Sequence, residues 1–144
     1  MNRVPSDWRT WLPYGEAFRF VDEIRALDLP RYISTETSYR RHEVLINDHR
    51  VALDPIIPGV LLAEQAAQSA WLLGRLSGWL LPGARVLLGR INCAFERIAP
   101  FGEPVVAEVY GSVTTSDSAG FRATLSSSGM VIGKVVLAVR RFDA

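Results

Sequence analysis

Residues 54 to 74 constrain this chain more than any other stretch: Asp54-Pro-Ile-Ile-Pro-Gly-Val-Leu-Leu-Ala-Glu-Gln-Ala-Ala-Gln-Ser-Ala-Trp-Leu-Leu-Gly74. The segment reads as a helix that is apolar on nearly every side. Pro58 suits the first helical turn, where its missing N–H costs nothing. Gly59 has no side chain, so another group can approach the backbone there closely. A helix without a wide polar side belongs in the middle of a fold. Yet Glu64 and Gln68 lie four apart, on one face and one turn from each other. An isolated carboxylate among apolar groups is costly, so Glu64 needs a partner, a neutral state or a function.

The apolar run from Ile56 to Leu81 is long enough to span a bilayer only if its polar residues are ignored. Glu64, Gln65, Gln68 and Arg75 fall inside it, and a central charge is heavily penalised in lipid. Gly74 and Gly78 weaken its second half. A core helix of a water-soluble domain is therefore expected.

The 144 residues suit one domain over positions 1–144 with a substantial core. A net charge of +1 supplies no field that would draw nucleic acid or an anionic membrane. Arg40 and Arg41 form a short basic pair, read either as solvated surface or as a contact for an acidic partner. His42 beside them reads as solvated. Cys93 is the only cysteine, which rules out an intramolecular disulfide and a cysteine metal cluster. In the strand-like Ile91-Asn-Cys-Ala-Phe95 it reads as small core filler. The start of the chain lacks the apolar segment of a secretory signal, so a cytoplasmic setting is the expectation. No metal site or cofactor motif is expected.

Around the helix, patterns of period two predominate. Residues 6 to 12 suit a short helix capped by Ser6 or Asp7, with Trp8 and Trp11 on one face. Phe18 to Arg25 and Tyr32 to Tyr39 suit strands, the second rich in β-branched residues. Val44-Leu-Ile46 suits a third short apolar segment. Residues 47 to 55 form a connection. After the turn at Leu80-Leu-Pro-Gly83, residues 86 to 93 alternate, as do residues 105 to 114. Further strands are expected over 121–127 and 130–142. Short links make the last three an antiparallel meander. The expected architecture is α+β, an antiparallel sheet wrapped round one long central helix.

This layout resembles the hot-dog fold, and the helix motif resembles that of the β-hydroxyacyl-acyl-carrier-protein dehydratases. That family has a histidine in a His-Phe-Pro loop, then Pro-x-Met-Pro-Gly-Val-Leu and Glu-Ala-x-Ala-Gln on the helix. Here Pro55-Ile-Ile-Pro-Gly-Val-Leu-Leu-Ala-Glu-Gln-Ala-Ala-Gln68 is similar. Leu12-Pro-Tyr-Gly-Glu-Ala-Phe-Arg-Phe-Val-Asp22 and Ile91-Asn-Cys-Ala-Phe-Glu-Arg-Ile-Ala-Pro-Phe-Gly-Glu103 resemble two flanking motifs of the same family. The loop departs from the pattern: His49-Arg-Val-Ala-Leu-Asp-Pro55 replaces the family's His-Phe-Pro-Gly stretch and is one residue longer. Tyr14 stands where the opening motif has a histidine.

The resemblance implies water elimination from 3-hydroxyacyl thioesters carried on acyl carrier protein, in fatty-acid or polyketide biosynthesis. It gives His49 the role of base, since imidazole titrates near working pH. Glu64 becomes the acid that protonates the leaving hydroxyl, because burial favours the neutral carboxyl. The Gly59 amide, flanked by Pro58 and Val60, would meet the thioester carbonyl, and Gln68 would orient Glu64. Family members place histidine and carboxylate across a dimer interface, so a homo- or hetero-oligomer, at least a dimer, is expected. The residues leave plainer readings open. His49 among Asn47, Asp48 and Arg50 reads equally as an exposed loop residue, Glu64 as a structural carboxylate, and Trp71 as core or tunnel wall. A hot-dog thioesterase, whose helix carboxylate activates water without a loop histidine, and a degenerate subunit paired with an active dehydratase are the rival functions.

Overall fold

The computed structural model describes residues 3–49 and 55–142. Six strands form the main sheet: β1 (Glu23–Asp28), β2 (Tyr32–Thr37), β4 (Arg85–Phe95), β6 (Val105–Thr114), β7 (Ser118–Ser127) and β8 (Met130–Phe142). Their order is β1-β2-β6-β7-β8-β4, and every neighbouring pair is antiparallel. Two short strands, β3 (Ile56–Ile57) and β5 (Ala99–Pro100), form a separate ladder. The helices are α1 (Glu43–Asp48) and α2 (Gly59–Leu76). This is the α+β arrangement expected from the sequence.

Alternation sets the inner face of the sheet. Val105, Ala107 and Val109 of β6 are buried, as are Ala119, Phe121, Ala123 and Leu125 of β7. The side chains of α2 that cover them, Leu62, Ala66, Ala70 and Leu73, recur at helical spacing and are buried too. The β7–β8 hairpin turns at Ser128 (φ 52°) and Gly129 (φ 76°). Two successive positive φ values match the twist of the flanking strands, and glycine adopts the second without strain.

Four local expectations need correction. The strand expected from Phe18 begins only at Glu23, because Phe20 is tied by side chains instead of a ladder. Its N–H donates to Gln68 Oε1 at 2.8 Å, and its carbonyl accepts from Thr37 Oγ1 at 2.6 Å. Val44-Leu-Ile46 lies in α1, with Ile46 buried and Val44 and Leu45 exposed, a one-sided pattern of helical period. His42 is buried rather than solvated: its ring lies 4.3 Å from that of Phe20, and Nε2 is 3.0 Å from the Arg19 carbonyl. Cys93 is exposed on β4, the edge strand, rather than filling the core. No helix among the described residues is long and apolar enough to cross a membrane.

The central helix is not enclosed equally on all sides. Val60, Ala63, Glu64, Ala67 and Trp71 make one stripe along α2 that stays partly or fully exposed. Val60 alone retains 75% of its surface. Beside this stripe runs β4, with Leu88 and Phe95 exposed in register with Val139 and Gly133 of β8. The core lies on the other side of the helix, against β2, β6 and β7.

Candidate active site

The Glu64 carboxyl stands on the open stripe of α2. Gln68 Nε2 donates to Glu64 Oε1 at 3.1 Å and to the Phe18 carbonyl at 2.8 Å. Because the Phe20 N–H must meet the carbonyl oxygen of Gln68, the amide group is the end that turns to Glu64. One buried glutamine therefore orients the carboxyl and pins the segment ahead of β1. The partner that the sequence demanded for Glu64 is a side chain on its own helix.

Glu64 opens into a cavity of about 430 Å³ between α2, β4, β7 and β8, lined among others by Tyr14, Ala67, Trp71, Leu88, Phe121 and Val139. Its volume falls in the range of small-molecule sites, and its wall is mostly apolar. Ala67 and Ala70 leave the room, since larger side chains at these positions on α2 would fill it. Tyr14 is not among the site residues expected from sequence, although it stands where the resembling motif has a histidine. Burial, and then the negative charge of Glu64, push its hydroxyl above the ordinary value of 10.0. The same two influences act on Tyr39, with Asp22 ranking between them, and raise it well above 10.0. Tyr39 donates to Gln65 Oε1 at 2.7 Å, on the buried side of α2.

At the start of α2, Pro58 occupies the N-cap position with φ −59° and ψ 139°, and no side chain caps the helix. The first turn thus presents amide groups and the positive end of the helix dipole. A Cβ at Gly59 would stand 3.0 Å from a ring carbon of Phe95, so the close approach foreseen at this glycine is made by an aromatic ring. Pro58 is buried, and Val60 projects outward.

His49 closes α1, exposed, its N–H bonded to the Ile46 carbonyl at 3.1 Å. It is not among the residues lining the Glu64 cavity within the chain. The rest of the loop that distinguishes this chain from the dehydratase pattern, residues 50–54, lies outside the described residues. Of the basic pair, Arg41 is engaged by Asp22 at 2.5 Å and by the Arg19 carbonyl at 3.0 Å, while Arg40 is exposed.

No family model matches the chain, and no curated protein does. Solved structures do. The dehydratase heterocomplex ApeI:P from Xenorhabdus doucetiae is similar with a TM-score of 0.78 and 14% identity, covering 99% of this chain and 93% of that one. A thioesterase from Haemophilus influenzae is similar at 0.64 and 16% identity, over 84% and 78% of the two chains. The PaaI protein of the E. coli phenylacetic acid degradation operon gives 0.66 and 10% identity, over 85% and 80%. At such identities the likeness speaks for the fold. With its antiparallel sheet, its long helix and these neighbours, the chain has the hot-dog fold.

Proposed function

We propose that this protein acts on acyl thioesters, as a dehydratase-type lyase that eliminates water from 3-hydroxyacyl chains on acyl carrier protein. The observation that carries the reading is a single oriented carboxyl, Glu64, at an otherwise largely apolar cavity large enough for an acyl chain. The solved dehydratase heterocomplex supports it further, since that likeness extends over 99% of the chain.

In this reading a base takes the α-proton of the thioester, the C–O bond at the β-carbon breaks, and the hydroxyl leaves as water with a proton from Glu64. The first-turn amide of α2 at Gly59, between Pro58 and Val60, stabilises the oxyanion-like thioester oxygen. Gln68 keeps the carboxyl aimed. This reading takes His49 as the base and requires a second subunit to deliver it, since His49 does not line the Glu64 cavity of its own chain. Oligomer formation has independent support. Among the described residues the outer edge of β4, an 11-residue strand, is unpaired, and apolar Leu88 and Phe95 are exposed on it, as is Val60 on α2. Monomers rarely leave such an edge open.

A second reading, a hot-dog thioesterase, is favoured by the same position of His49. A carboxylate that activates water at the thioester carbonyl needs no loop histidine. Mass spectrometry of a 3-hydroxyacyl carrier protein after exposure to the purified protein separates the two. Loss of water that His49→Ala abolishes supports elimination. Loss of the whole acyl group, retained in His49→Ala, overturns it in favour of hydrolysis. Neither change, with an active hetero-oligomer formed on adding a second hot-dog subunit, identifies a degenerate partner.

A further inference from the structure

A second cavity, of about 360 Å³, lies at the far end of α2 from Gly59, lined in part by Leu73, Gly74, Gly78, Gly111 and Ala119. Two side chains line both this cavity and the one that holds Glu64: Trp79 and Phe121. They stand between the two spaces. Small residues dominate the second cavity, and Gly78, Gly111 and Thr114 among its lining are exposed, so it is a recess open to the surface beyond those two rings.

The partition is held in place. Trp79 Nε1–H donates to the Thr115 carbonyl at 2.9 Å. The Arg141 guanidinium lies over the indole, 5.0 Å from its centroid, and also donates to the Trp79 carbonyl. An indole with its N–H satisfied and a cation on its face has little freedom to swing aside. Phe121 is 5% exposed, in the middle of β7 and paired across to Leu137. Glu64 lines the same first cavity. A straight apolar chain with its reacting carbons near Glu64 therefore has the first cavity available and meets aromatic rings before the second.

We propose that Trp79 and Phe121 form a fixed partition that sets the greatest length of acyl chain this protein accepts. The proposal rests on the reading of the Glu64 cavity as the acyl site. The second cavity is a recess that a chain starting at Glu64 reaches only when the partition is cut down. Each methylene that finds apolar room tightens binding about fourfold, whereas one that meets a held ring gains nothing.

The test uses S-alkyl pantetheine thioethers, from butyl to tetradecyl, which cannot be hydrolysed or dehydrated, titrated calorimetrically into the intact protein. For the natural sequence, affinity should climb with length and then stop. In Trp79→Ala the stopping point should move to longer chains, the longest thioether binding at least ten times more tightly than before and butyl unchanged within twofold. Trp79→Phe, which keeps a ring in place, should retain the original limit. Phe121→Leu provides a second opening with little loss of core volume, and it should shift the limit in the same direction. Profiles of Trp79→Ala and Phe121→Leu that superimpose on that of the natural sequence, with native near-UV circular dichroism, would overturn the partition. If the natural sequence binds none of the thioethers, the acyl reading of the cavity falls and takes the partition with it. If binding and its limit behave as stated but no acyl thioester is turned over, the proposed reaction fails while the partition stands.

Discussion

The two sides of α2 have nearly the same composition and opposite fates. On the inner side every polar group is answered within the chain: Gln65 bonds Tyr39 and the Val105 carbonyl, and Ser69 bonds Thr35 and the Gln65 carbonyl. On the outer side Val60 projects into solvent, and Glu64 has one hydrogen-bond partner among the described residues, Gln68, and a cavity. The contrast shows that a helix apolar all round need not be sealed by its own domain. One side builds the core, and the other stays open beside a cavity.

The sharpest way to break this comparison is to remove the acid while keeping its shape. Glu64→Gln should lower acyl-thioester turnover by about 10²–10⁴-fold, the range of acid–base catalysis, with the urea midpoint unchanged. Turnover at the natural rate would show that the open side is not the reactive one. Next comes Gln68, the buried residue behind Glu64. Gln68→Leu leaves the buried Phe20 N–H without its partner, so urea unfolding should show a loss of about 1–3 kcal/mol. A loss below 0.5 kcal/mol, the scale of ordinary surface changes, would mean that Gln68 serves Glu64 alone. Third, Leu88→Lys places a charge on the uncovered edge. The protein should stay folded by circular dichroism while light scattering reports a smaller assembly than for the natural sequence. An unchanged mass would point the interface elsewhere.

The smallest effect concerns His42. Burial, chiefly, holds its imidazole below the ordinary 6.5, outweighing the Arg19 carbonyl, with Arg41 adding to the depression and Asp22 opposing it. Below 6.5 the unfolded chain takes up a proton that the folded chain resists, so stability is complete above that pH and declines as pH falls towards the folded value. His42→Phe, which preserves the contact with the Phe20 ring, should flatten that slope in urea midpoints measured on either side of 6.5. An unaltered slope would assign it to other groups.

Much of the fold was legible because its signals are local. The β6–β7–β8 meander follows from alternation and short turns, and the position of α2 follows from a predominantly apolar run behind Pro58. Errors arose where a distant group replaced a local one. Phe18 to Asp22 has the composition of a strand, yet Gln68 and Thr37 supply the bonds that a ladder would have made. His42 looks solvated between Arg41 and Glu43, yet Phe20 closes over it.

By itself, then, the sequence determined the long helix, the Glu64–Gln68 pair on one of its faces and the antiparallel strands around it. Each of these depends on residues a few positions apart, where periodicity and turn chemistry act directly. Only the tertiary structure decided which side of the helix stays open, that Tyr14 shares the cavity of Glu64, and that Trp79 and Phe121 line both that cavity and the next. Those arrangements join residues tens of positions apart through packing, and packing leaves no period in the chain to be read.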